Sequence, residues 1–262
     1  MDLGFRGEVA VLYARYRHGY PPAVLDALVA AFGLTGDDVV VDLGCGTGQL
    51  ALPMARRVRA VLGVDPEPDM VGLARAAAAE LGVRNVSWLV GADSDVPALA
   101  ALLGERTVGA ITIGQALHWM DHERLFREAR PLLRPGGGVA VLANGTPLWL
   151  QDSGWSRALR EFLQDWFGKR LTATCGTDEA TRQRYRAALA AAGYETSTTS
   201  AEYQCLLDVD RIVGGVLSAV PVDGLPPPDR RAAFARGIDE ALRRHAPYEE
   251  HVRVSVLTGR VD

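Results

Sequence analysis

Cysteine is scarce in this chain of 262 residues: Cys45, Cys175 and Cys205 are the whole supply. Their number is odd, their spacing is wide and no two form a CxxC pair. Neither a disulfide framework nor a zinc site is expected from them. A basic stripe or tail is also missing. The 28 Lys and Arg are scattered among 32 Asp and Glu, for a net charge of −4 and a pI near 5.8. Nucleic-acid binding needs a concentrated basic footprint, so no nucleic-acid partner is expected. No apolar run approaches the roughly 20 residues that span a bilayer. The opening MDLGFRGEVAVLY lacks the basic-then-apolar order of a secretion signal. A cytoplasmic protein without a membrane partner, acting as a monomer or homodimer, is the simplest expectation. What is present is apolar mass, 48% of residues. That is enough for one large domain, or one domain with a small addition.

In the first half, apolar runs alternate with helical segments. Strands are expected at 37–42, 59–64, 86–90, 107–113 and 137–143. Helices are expected at 49–57, 69–81 and 122–130, the last stopping at Pro131, and the fifth strand is entered through the turn Arg134-Pro-Gly-Gly-Gly138. Continuous apolar strands alternating with helices predict a parallel sheet covered on both faces, with ligands at the carboxyl ends of the strands. The second half reads differently. Trp155, Phe162 and Trp166 share one face of a helix, and 180–192 is a further helix. Residues 194–207 and 251–259, rich in Thr, Val and Tyr, predict a final antiparallel pair. Between them 209–246 is helical and broken by Pro221 and 224–228, which reads as an insertion. The expected organisation is an N-terminal helical cap at 1–36, a ligand-binding α/β core at 37–145, and a half at 146–262 that completes the sheet. The Arg56-Arg57 and Arg230-Arg231 pairs are expected to be solvated surface.

The stretch VVVDLGCGTGQL at 39–50 concentrates what regular structure avoids. Glycine is unfavourable in helices and strands, so three glycines spaced two apart imply backbone that must lie against a ligand. Dinucleotide folds use GxGxxG with a pyrophosphate. Here the order is Gly44-x-Gly46-x-Gly48 behind Asp42. A carboxylate there repels a pyrophosphate and suits an ammonium group. No GxxxxGK[ST] sequence exists, which excludes a P-loop. Asp65 closes the second strand 23 residues after Asp42, where a carboxylate accepts hydrogen bonds from both ribose hydroxyls. Gly91-Ala92-Asp93 follows the third strand, where a short polar side chain reaches the amine of an adenine. The ligand expected is an amino acid at one end and an adenosine at the other.

The ordered set DLGCGTG, GVDPEPDM, GADSDVP, IGQALHWMD and LLRPGGGVAV resembles the class I S-adenosylmethionine-dependent methyltransferases. It is most similar to the small-molecule branch with the trans-aconitate and ubiquinone/menaquinone types. The segment Tyr13-Ala-Arg-Tyr16-Arg17-His18-Gly-Tyr20-Pro21 is similar to the YxRYRPxYP of that branch, with His18 where proline is usual. The resemblance covers roughly 8–145. It implies a Rossmann-like, seven-stranded, mostly parallel sheet with helices on both faces, a helical lid insertion at about 209–246, and S-adenosylmethionine as cofactor. It implies that Gly44, Gly46 and Gly48 admit the cofactor's amino-acid part, with Asp42 ordering that loop and the ammonium. Asp65 then binds the ribose, Met70 packs near the adenine or ribose, Ala92 and Asp93 frame the adenine, and Gln115 lies beside the methionine moiety. Tyr13 and Arg17 close over the cofactor. Cys45 lies in the same loop and packs there, since nothing basic adjoins it to lower its pKa.

A sulfonium methyl is displaced in line by a nucleophile, so the enzyme chiefly positions the partners and excludes water. His118, in the Gln115-Ala-Leu-His118-Trp119-Met-Asp121 segment after strand four, is the candidate general base. The other reading is a hydrogen bond to the loop backbone or to the cofactor. His18, Trp119 and Trp149 are the candidate substrate contacts. After strand four there is no [DNS]PP[YF], no Pro-Cys pair, and no Asp…Asp-Asn set for a metal. A small organic acceptor is left, methylated on oxygen or nitrogen. The Ala-, Arg- and Val-heavy composition associates the chain with high-GC actinobacteria and a specialised-metabolite pathway such as antibiotic biosynthesis. Two other functions fit the same motifs: a cyclase or decarboxylase that keeps the cofactor as a structural element, and a non-catalytic binding protein.

Overall fold

The computed structural model describes residues 4–262, so the first three residues of the expected N-terminal cap lie outside it. Seven strands form one sheet. They are β1 (Val39–Leu43), β2 (Ala60–Asp65), β3 (Val86–Val90), β4 (Val108–Gly114), β5 (Leu133–Asn144), β6 (Glu195–Leu207) and β7 (Tyr248–Arg260). Their order is β3-β2-β1-β4-β5-β7-β6. The first five are parallel, while β7 runs antiparallel to both β5 and β6. The chain winds outward from β1 through β2 to β3, then returns to lay β4 on the other side of β1. This reversal splays the connections apart and opens a crevice over the carboxyl ends of β1 and β4.

Ten helices accompany the sheet among the described residues: α1 (Glu8–Tyr16), α2 (Pro22–Phe32), α3 (Ala51–Met54), α4 (Pro68–Glu80), α5 (Val96–Leu103), α6 (His122–Ala129), α7 (Gly154–Phe167), α8 (Glu179–Ala191), α9 (Val209–Leu217) and α10 (Arg231–Leu242). On one face of the sheet Val41, Ile111 and Val139 meet Leu99 of α5, Phe126 of α6 and Leu189 of α8. On the other face Val40, Ala110 and Ala140 meet Leu28 and Phe32 of α2 and Met54 of α3. The apolar runs are continuous because the sheet is covered on both sides.

A third apolar core lies apart from the sheet. Trp155, Leu159 and Leu163 of α7, Ile212 and Val216 of α9, and Phe234, Ile238 and Leu242 of α10 form a helical cap. Side-chain caps start three of the second-half helices: Ser153 for α7, Asp178 for α8 and Asp208 for α9. The cap stands on an overhang. Strand β5 ends its pairing at Asn144 opposite Val254, whereas β6 and β7 continue together to Leu207 opposite Tyr248.

Some expected elements differ. The helix expected at 49–57 is only Ala51–Met54, and it gives way to tight turns in which Arg56 and Arg57 donate to Pro53 and Met54 three residues back. Strand β5 begins at Leu133, earlier than 137, because the Pro-Gly-Gly-Gly turn continues the pairing as an irregularity beside β4. Helix α5 has no counterpart in the sequence reading. The two arginine pairs are not simply solvated: Arg57 binds Asp26 at 2.8 Å, Arg230 lies over the Trp166 ring, and Arg231 pairs with Glu8.

Candidate active site

A cleft of about 1090 Å³ lies over the switch point, roofed by α1 and the helical cap. That size suits a cofactor and a small acceptor together. Its floor begins with the turn after β1. Gly44 and Gly46 both take positive φ, +68° and +53°. A Cβ at Gly44 would sit 2.4 Å from Cβ of Ala116, so the glycine lets the β1 and β4 loops touch. Gly48, expected at the cofactor, faces Leu52 and Trp88 instead of the cleft.

Asp42 is 1% exposed. One carboxylate oxygen accepts from Thr112 Oγ1 at 2.7 Å, and the other is buried with no hydrogen-bond partner among the described residues. Burial pushes its pKa up to about 7, against the hydrogen bond from Thr112. Two more buried polar atoms without partners line the same cleft, Gln115 Oε1 and Arg17 Nε. Gln115 adopts φ +55°, uncommon for a non-glycine residue, and donates through Nε2 to the Asn144 carbonyl at 3.2 Å. Two bare acceptors and one bare donor therefore belong to residues that line the same cleft. A zwitterionic amino-acid head supplies the complementary ammonium and carboxylate.

Asp65 marks the other direction, at the end of β2. It accepts from the Gly46 amide at 2.8 Å and the Glu67 amide at 3.0 Å, which fix both carboxylate oxygens toward the cleft. Burial pushes its pKa up, against these amides. Met70, Ala92 and Asp93 continue the wall past β2 and β3. Asp93 accepts from the Asp121 amide at 3.2 Å and so joins the β3 and β4 loops. Tyr13 lies over the turn, its ring edge 3.7 Å from where a Gly46 Cβ would be, and Arg17 stacks on that ring. Helix α1 is held in place from both sides: Asp69 accepts from the Gly7 amide, and the Tyr16 hydroxyl donates to Asp210 of α9. Cys45 lines the cleft, but burial pushes its thiol well up, so it is no nucleophile.

His118 and Trp119 follow β4 on a short turn, with ring centroids 4.9 Å apart. Burial alone pushes His118 down to about 4, so its imidazole is neutral at pH 7. Trp119 is 44% exposed and meets Phe5 edge-on. Trp149 lines the cleft from the turn after β5. His18 also lines it, with Nε2 3.4 Å from the buried Glu250.

The sequence reading missed Glu250, Asn144 and Tyr20, which all line the cleft. Asn144 ends β5, and the carboxyl-end rule finds it once the strand boundary is known. Its Nδ2 donates to the carbonyls of His18 and Gly19. Glu250 carried no local signal, because it lies on the overhanging ribbon and reaches the cleft only through the fold.

A family model for the methyltransferase domain matches residues 40–137. An uncharacterised methyltransferase of Mycobacterium tuberculosis is 34% identical over 163 residues, covering 62% of this chain and 60% of that protein. The ubiquinone/menaquinone biosynthesis C-methyltransferase of Rubrivivax gelatinosus is 32% identical over 111 residues, 42% of this chain and 41% of that protein. The chain thus spans less than two thirds of the length of each of these relatives. Among solved structures, the YcgJ protein of Bacillus subtilis superposes with a TM-score of 0.57 at 18% identity, covering 91% of this chain and 98% of that one. Precorrin 8w decarboxylase of Methanobacterium thermoautotrophicum superposes with 0.55 at 16% identity, covering 94% of each. At such identities the superpositions speak for the fold. The matched segment carries the glycine turn and much of the cleft wall, so residues 40–137 are similar to a methyltransferase domain.

Proposed function

We propose that this protein transfers the methyl group of S-adenosylmethionine to an oxygen or nitrogen of a small metabolite held beneath the helical cap. Asp42 Oδ2, Gln115 Oε1 and Arg17 Nε, buried without partners among the described residues and belonging to residues that line one cleft, carry this reading. Asp42 and Gln115 receive the ammonium, Arg17 the carboxylate, Asp65 the ribose diol, and Asp93 the adenine amine. Met70 and Ala92 pack on the adenosine, and Tyr13 closes over the glycine turn beside Cys45.

The bound cofactor supplies an electrophilic methyl on a sulfonium sulfur. The protein's part is to orient the acceptor and exclude water, which lowers the barrier by several kcal/mol. Trp119, Trp149 and His18 bound the acceptor end of the cleft. His118 is neutral near pH 7 and so is competent to accept the acceptor's proton. With a pKa of about 4 it is a weak base. It therefore suits an acceptor that releases its proton late in the step or is already acidic. A role in a specialised-metabolite pathway, such as antibiotic biosynthesis, accords with the composition and with a mycobacterial relative.

Incubation with methyl-labelled cofactor and a metabolite extract tests the reading. Label is expected in a low-molecular-weight product. Cofactor binding without label in any product, while a metabolite is consumed, would instead assign a non-methylating reaction to the cleft.

A further inference from the structure

At the acceptor end, three potential metal ligands converge from segments far apart in sequence. His18 lies in the loop between α1 and α2, Cys205 on β6 and Glu250 on β7. Their ligating atoms all lie within 4.8 Å of one another. Cys205 and Glu250 are direct cross-strand partners, so the sheet register holds their side chains together. Sγ of Cys205 is 3.3 Å, and Nε2 of His18 is 3.4 Å, from Glu250 Oε2.

These separations decide between two explanations. A hydrogen bond between imidazole and carboxylate settles near 2.7–2.9 Å, and 3.4 Å is long for one. Zinc bonds of about 2.0–2.3 Å at tetrahedral angles place neighbouring N, O and S ligands roughly 3.3–3.6 Å apart. The His18–Glu250 edge matches the second value, the 3.3 Å Cys205–Glu250 edge fits a thiol hydrogen bond as well as a shared metal, and all three ligating atoms lie within 4.8 Å of one another. The donor set of imidazole, thiolate and carboxylate suits zinc better than magnesium or calcium, which prefer oxygen alone.

The surroundings are built as a metal site requires. Glu250 is 4% exposed, and its other oxygen accepts from Gln151 Nε2 at 2.7 Å, which orients it. The backbone of His18 is fixed by Asn144, and its ring meets Tyr203 edge-on. His18 and Glu250 both line the cleft, so a cation held by them borders it.

We propose that His18, Cys205 and Glu250 bind a zinc-type divalent cation whose open coordination position faces the acceptor end of the cleft. On binding, the Cys205 thiol gives its proton to solvent and the sulfur joins the metal as thiolate; His18 binds as neutral imidazole and Glu250 as carboxylate. The open position takes an oxygen of the acceptor and favours its anionic form. That use rests on the methyltransferase reading, whereas the site itself does not.

Cobalt(II) is the probe. The full chain, stripped with a chelator, is titrated with cobalt and followed by absorption, and each sample is also titrated calorimetrically with S-adenosylmethionine. One equivalent of cobalt is expected, with tetrahedral visible bands and a near-ultraviolet thiolate charge-transfer band, all displaced by zinc. Cys205→Ser should lose the thiolate band. His18→Ala and Glu250→Gln should weaken cobalt at least about tenfold, and Gln151→Ala about 10–100-fold. Retained cofactor binding shows that the variants are folded. Absence of tight cobalt binding in the wild type, or a thiolate band that survives Cys205→Ser, overturns the proposal. Cobalt binding without S-adenosylmethionine binding would leave the metal site standing and remove the methyltransferase reading instead.

Discussion

Asp42 and Glu250 are both buried acids on strands, and both line the same cleft, yet their surroundings are opposite. Asp42 has one hydroxyl donor and one bare oxygen, and burial pushes it up to about 7. Burial also pushes Glu250 up, but His18, Gln151 and Cys205 outweigh it and hold the carboxyl below its usual range. The difference divides the molecule. The cofactor half, built on β1 to β5, leaves polar groups bare for a ligand that carries the complement. The cap half, standing on the β6–β7 overhang, places His18, Gln151 and Cys205 around its acid at the other end of the same cleft. Under the proposed function, the first region binds the methyl donor and the second bounds the acceptor.

If the halves are energetically separate, Phe234→Ala is the sharpest way to show it. Phe234 is fully buried in the cap core, and its loss costs about 3–5 kcal/mol of cap stability. Urea denaturation should show that loss, while calorimetry shows near wild-type affinity for S-adenosylmethionine. A parallel fall in cofactor affinity would break the division. The reverse experiment is Asp65→Ala, which removes the carboxylate fixed by Gly46 and Glu67. Cofactor binding should weaken by about 1–3 kcal/mol, with the cap transition unmoved.

A pH series sharpens the contrast between the two acids. The folded pKa of Asp42 lies above the ordinary aspartate value of about 3.9. Between that value and about 7 the folded state holds a proton that the unfolded state has released. This group therefore subtracts stability from the ligand-free protein as pH rises through that window. Pairing with an ammonium needs the ionised form. Cofactor affinity should fall about tenfold per pH unit below 7, and Asp42→Asn should bind weakly without that slope. An equally steep slope in Asp42→Asn would assign it to another group. The smallest effect is expected at Trp119. Trp119→Leu should change stability by less than about 0.5 kcal/mol and leave cofactor binding intact, yet lower labelled-methyl turnover.

The same division explains what the sequence reveals. The first half is written locally. Strand β3 lies at Val86–Val90, the span its apolar run predicts, and Asp42, Asp65 and Asp93 fall at or just after strand ends, where ligands bind. The helix after β1 read too long because its propensity concealed the tight turns around Pro53. Helix α5 went unread, with Pro97 inside its first turn. In the second half, the Trp155, Phe162 and Trp166 face was legible as a helix face. Phe162 and Trp166 pack on Phe234, while Trp155 donates to the Glu249 carbonyl at 2.9 Å. What the sequence could not show is which residues the overhang brings to the cleft. Glu250 and Cys205 meet His18 only because β7 pairs with β6 in one register, and no spacing along the chain encodes that.

The central claim is that the cleft over the glycine turn receives an amino-acid head joined to an adenosine. Calorimetric titration of the full chain, comparing S-adenosylmethionine with methylthioadenosine, which lacks that head, tests it most directly. The account predicts saturable binding of one S-adenosylmethionine per chain and much weaker binding of methylthioadenosine. Equal affinities, or no S-adenosylmethionine binding at millimolar concentration, would contradict it.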